Sequence, residues 1–151
     1  MFHELVDEAA ASDRPNADEE RIEAATLLAS FETLLTETVE EVGSDRVVSE
    51  TPLDPSAVKR IAEGDARTVT LAEGAALLAT GSDREAESMV AELRDHLLMG
   101  MATAVLDVDT IAASIDADLT GQEVQQVLEG RAAMTLEQLA DVMAVIETRK
   151  R

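Results

Sequence analysis

The feature that most restricts this chain is its punctuation. From Asp107 to Arg149, apolar residues recur at helical spacing, and the runs are separated by capping side chains, polar breaks and a glycine. Asp107 can cap a helix in which Val108, Ile111, Ala112 and Ile115 share one face, and Asp116-Ala117-Asp118 breaks it. Thr120 and Glu123 then form a capping box for a helix striped by Val124, Val127 and Leu128, and Gly130 stops it. Thr135 and Gln138 open a third helix along Leu136, Leu139, Ala140, Met143 and Ile146, which ends in Arg149, Lys150 and Arg151.

The same grammar runs through the earlier residues. Phe2 to Ala10 can form a short amphipathic helix, and Ser12 to Asn16 is a connector containing Pro15. A long helix is expected from Asp18 to Gly43 on the stripe Ile22, Leu27, Leu28, Phe31, Leu34, Leu35, Val39 and Val42. Residues 44–52 are too short a stretch to assign to helix or strand. Asp54 followed by Pro55 predicts a helix to about Glu63, closed by Gly64. Thr70 and Glu73 box the next helix, through Ala79. Ser82 and Glu85 are expected to cap the longest one, Asp83 to about Leu106. Every assignable segment is helix, so the expected fold class is all-α.

Two stretches of this pattern match at an offset of about 66 residues. Leu53, Val58, Glu63, Gly64, Thr70, Leu71 and Ala75 fall on Leu119, Val124, Glu129, Gly130, Thr135, Leu136 and Ala140. Upstream, Phe31, Leu35, Val39 and Val42 fall on Leu97, Met101, Val105 and Val108. The expectation is a bundle of two related units, a tandem pseudo-repeat packed as one domain. Its parts are a short N-terminal helix and connector (1–16), a first unit (17–81) and a second unit (82–151).

Residues Thr120 to Arg131, with Thr135 to Ala140 after them, resemble the recognition helix and following helix of phage-repressor (Cro/C1-type) helix-turn-helix domains, within a segment spanning 107–148. The resemblance implies that Gln122, Gln125 and Gln126 would face base edges, with Arg131 near phosphate. Asp116 and Asp118 stand in a turn about two residues longer than that family uses, which alters how the second helix projects. The whole chain also resembles small acidic haloarchaeal proteins of no assigned function.

Charge enters here, because duplex binding depends on neutralising phosphate. The chain has 32 acidic and 12 basic residues. Its lysines are Lys59 and Lys150, so arginine dominates the cations. An acid-rich, lysine-poor surface suits a protein of a salt-loving organism, where concentrated salt screens self-repulsion. The basic residues that could serve a nucleic acid are Lys59, Arg60 and Arg67 in the first unit and Arg131 in the second. The competing expectation is that they pair with the surrounding carboxylates. The other candidate surface is Leu97-Leu98-Met99-Gly100-Met101, apolar on more than one helical face, with Gly100 permitting close approach. This stretch suits either burial between the units or self-association.

Catalytic readings have little to stand on. His3 and His96 are the histidines, cysteine, Trp and Tyr are absent, and no nucleophile elbow, Walker loop or dinucleotide-type glycine pattern occurs. Asp116-x-Asp118-x-Thr120-Gly121 begins like an EF-hand loop, but Val127 stands where a bidentate glutamate is required. His96 is expected on a helix surface. No cofactor, metal or small-molecule substrate is implied. The longest apolar run, Leu97 to Leu106, is about half what a bilayer span requires. No signal-peptide pattern opens the chain, so a cytoplasmic location is expected. The sequence thus points to a non-catalytic module for protein contact or regulation, with a DNA-binding regulator as the alternative.

Overall fold

The computed structural model describes residues 23–115 and 119–149. The expected Phe2–Ala10 helix and its connector, the 116–118 break and the Lys150-Arg151 end lie outside the described residues. Among the described residues the fold is all-α, with eight helices. They are α1 (Ala24–Val42), α2 (Ser44–Glu50), α3 (Pro55–Ala62), α4 (Leu71–Thr80), α5 (Ala86–Ala104), α6 (Val108–Ser114), α7 (Gly121–Leu128) and α8 (Leu136–Arg149). Their lengths run 19, 7, 8 and 10 residues, then 19, 7, 8 and 14.

Local chemistry sets most of these boundaries. The Asp54 carboxylate accepts from the Ala57 amide at 2.8 Å, and Pro55 occupies the first turn of α3, where a missing N–H is harmless. Thr70 and Thr120 each form a complete capping box with the glutamate three residues on. Thr135 and Gln138 make the same reciprocal pair at α8, at 3.0 and 3.2 Å. One expected cap does not form. Ser82 Oγ accepts from the Arg84 amide, so the Gly81–Glu85 segment stays a bend and α5 begins only at Ala86. The unassigned residues 44–50 are helix, held by burial of Val47 and an Arg46–Glu50 ion pair one turn apart.

The core is aliphatic. Leu27, Phe31, Leu35 and Val39 form the inner stripe of α1, and Met89, Leu93, Leu97 and Met101 that of α5. The two long helices share their partners: α1 packs on α8 and α4, and α5 packs on α4 and α8. The segments before α4 and α8 meet as a one-residue antiparallel bridge, Thr70 opposite Thr135. The Leu71 amide donates to the Met134 carbonyl at 2.7 Å, and the Leu136 amide donates to the Val69 carbonyl at 2.8 Å. These helix N-termini therefore satisfy orphan donors across the midline.

The surroundings of α3 and α7 differ. In the first, Thr36 Oγ1 donates to the Ile61 carbonyl at 2.7 Å, and the Glu32 carboxylate accepts from the Ala66 amide at 2.8 Å. The end of α3 and its following loop thus lie across the middle of α1. In the second, α7 packs chiefly on α6 and approaches α5 where the Arg94 guanidinium lies over Gly130. Val105 ends α5 at φ 55°, the one non-glycine residue in the left-handed region among the described residues. For a β-branched side chain that conformation costs about 1–2 kcal/mol. The chain turns there, and α6 leaves α5 at 91°. Among the described residues no single helix is long and apolar enough to cross a membrane.

Candidate interaction face

The outward face of α5 changes character along its length. Glu87, Ser88, Glu92 and Asp95 are exposed in its first half, where Glu92 pairs with Arg84. Leu98, Met99, Ala102 and Thr103 are exposed in the second half, followed by Val105. The large apolar members stand well out of the core: Leu98 is 50% exposed, Met99 71% and Val105 89%. Leu98 and Ala102 stand one turn apart on one face of α5 with Met99 beside them, and Val105 follows just past the end of the helix. These three are the exposed large hydrophobic residues among those described.

This divides the expected interface stretch. Leu97, Gly100 and Met101 are buried on the inner face of α5, so a surface contact through them is corrected to packing within the fold. Leu98 and Met99 face outward. Val105, just past the end of α5, is exposed beside them. A helix with apolar residues on both sides of the 97–101 turn has no single periodic face, so spacing alone could not separate inner from outer members.

The nucleic-acid candidates are not brought together. Lys59 and Arg60 are exposed on the last turn of α3, with Arg67 exposed in the loop that follows. Asp65 sits among them: Arg67 Nε lies 3.3 Å from its Oδ1. Hydrogen bonds from the Arg67 side chain and backbone, with the charges of Arg67 and Arg60, hold the Asp65 carboxyl below its ordinary range. Gln122 and Gln125 are exposed on α7 and Gln126 is half-buried, but α7 does not touch α3. Gln125 Nε2 donates to Glu129 Oε1 at 3.0 Å, and Arg131 Nε lies 3.3 Å from Glu129 Oε2. Two of the four α7-side candidates therefore answer a local carboxylate.

His96 departs from expectation. Its side chain is largely enclosed, with Nε2 3.4 Å from Glu147 Oε1 on α8. Glu147 is 6% exposed, the buried charged residue of the described core. A carboxylate so enclosed requires partners, and the imidazole ties α5 to α8 there. Among the described residues no group of three or more His, Asp or Glu side chains is arranged to hold a metal ion. A cleft of about 770 Å³ between α1, α8 and the end of α6 is lined by Leu28, Ile115, Ala140, Ala144 and Val145.

Among the described residues, fold and surface define an all-helical architecture with one bare apolar face, at the end of α5, on a strongly acidic chain. The chain belongs to the family of unknown function DUF5791, whose profile matches residues 27–149. No curated protein and no solved structure matches it.

Proposed function

We propose that this chain is a non-catalytic helical interaction module, working inside a salt-adapted cell and built from two related helix-turn-helix-like units. The observation that carries this reading is the bare stripe Leu98, Met99 and Val105 on a chain whose formal net charge is −20. Acidic surfaces keep proteins apart, and a contiguous apolar patch among carboxylates marks a place where contact is favoured. The two-unit reading is supported by the repeated order of helix lengths, the Thr70 and Thr135 capping boxes, and the antiparallel bridge between those two residues. The excess of carboxylates supports the salt-adapted setting.

The test is a hydrophobic-dye titration on dilute protein in molar potassium chloride. The wild type should bind dye, and the Leu98→Ser/Met99→Ser/Val105→Ser variant should lose most of that signal at an unchanged melting temperature. Equal signals from the two proteins would remove the reading.

A DNA-binding regulator is the second reading, favoured by the adjacent exposed cations Lys59 and Arg60. It requires duplex binding at high potassium chloride that Lys59→Glu/Arg60→Glu abolishes. The interaction reading expects no duplex shift from either protein. A shift lost in the double variant would reverse the order of the two.

A further inference from the structure

We propose that the cleft between α1, α8 and the end of α6 is the seat of this chain's own first residues. Phe2 to Ala10 dock there as an amphipathic helix, with Phe2, Leu5, Val6 and Ala9 turned inward. The inference is independent of the α5 face and goes beyond the interaction reading. Three observations carry it.

The first is where the chain enters. Glu23, the first described residue, lines the cleft together with Ala24 and Ala25 of the first turn of α1. Residues 1–22 therefore join the fold at the cleft itself. Residues 11–22 can span about 40 Å when extended, whereas the α8 wall from Glu137 to Thr148 is about 16 Å long. Residues 2–10 as a helix measure about 13 Å. The tether reaches every part of the cleft, and the segment fits along it.

The second is the match of apolar surfaces. The floor of the cleft is Leu28, Ile115, Ala140, Ala144 and Val145. Leu28, Ile115 and Val145 pack against the core yet are only half-buried. In residues 2–10, Phe2, Leu5, Val6 and Ala9 follow the i, i+3, i+4, i+7 spacing. A helical turn of about 100° per residue gathers those four within about 100° of one another. So short a helix does not persist alone in water, and its order comes with the seating.

The third is charge, and with it the choice of occupant. Glu23, Glu137, Asp141 and Arg149 supply the charges around the cleft, so an acidic occupant must turn its carboxylates away. Glu4, Asp7 and Glu8 lie on the side opposite the apolar stripe, and seating that stripe points all three at solvent. The tether also decides whose segment binds. A short linker gives a local concentration of about a millimolar, so at micromolar protein the chain's own segment fills the cleft ahead of a second copy's.

The chain contains no Trp, Tyr or Cys, so introduced reporters are read without background. In molar potassium chloride, full-length Phe2→Trp should emit to the blue and be quenched by acrylamide several-fold less than the same chain unfolded, at every protein concentration. Val145→Glu in the floor, and Leu5→Asp/Val6→Asp in the segment, should each restore full quenching. Should Val145→Glu unfold the chain, the double aspartate variant decides alone, because residues 5 and 6 lie outside α1 to α8. On mild oxidation, Val6→Cys/Val145→Cys should close a disulfide within the monomer at least several-fold faster than Val6→Cys/Leu98→Cys, whose second position is on the outward face of α5. Quenching as strong in the folded as in the unfolded chain, shielding that survives the double aspartate variant, or equal disulfide rates in the two pairs overturns the proposal. Shielding lost on dilution, with disulfides between chains rather than within one, overturns it in favour of a second copy's segment.

Discussion

Gly64 and Gly130 follow α3 and α7 at matching places, and both hold positive φ, 94° and 77°. Their surroundings differ. A Cβ on Gly64 would meet nothing within 4 Å, whereas one on Gly130 would come 2.6 Å from the Arg94 guanidinium carbon. Gly64→Ala therefore measures left-handed backbone strain alone, about 1 kcal/mol. Gly130→Ala should cost about 1 kcal/mol more, because Arg94 must also leave its seat against α7. Chemical denaturation of the two variants checks this, and equal losses would mean that Arg94 moves freely. Glycine as a helix stop was legible from the sequence at both positions. The arginine stacked on one of them was not, since 36 residues separate the partners in the chain.

Helix α6 spans only seven residues, too few to persist alone, so its cap matters. The Asp107 carboxylate accepts from the Thr110 amide at 2.8 Å, and hydrogen bonds from Thr110 hold it below the ordinary carboxylate range. A carboxyl depressed in the folded state stabilises it fully above the unfolded pKa, and the contribution fades as pH falls through the folded value. Asp107→Asn keeps the accepting oxygen but removes the charge. Wild type should therefore melt higher than the variant near pH 7, and the gap should be narrower at about pH 3. Thermal melts at the two pH values test this; a gap that widens in acid contradicts it. Caps of this kind made α3, α4, α6, α7 and α8 readable, because each depends on residues within one turn. Helix α2 was not readable: its one buried side chain, Val47, is held by α1, α3 and α4, and no local stripe announces it. Ser82 misled for the opposite reason. It has the capping composition, but its oxygen is taken by Arg84. The α5 face was half legible: its apolarity was evident, while its outer side depends on where α7 rests.

At the level of the whole molecule, a net charge of −20 on 151 residues makes stability a function of screening. With cations scarce, like-charge repulsion across the surface opposes folding, and added salt weakens it. Raising potassium chloride from about 0.1 M, where the screening length is near 10 Å, to molar levels should raise the melting temperature by roughly 5–15 °C. A flat response over that range would remove the salt-adapted setting.

The crossing of residues 69–71 with 134–136 has a consequence for how the protein comes apart. Leu71 and Leu136 each take a main-chain acceptor from the far half, and the Glu137 amide adds another by donating to the Arg67 carbonyl at 3.2 Å. The residues before and after Gly81–Glu85 thus hold each other's main-chain acceptors, and a calorimetric melt is expected to show a single cooperative transition.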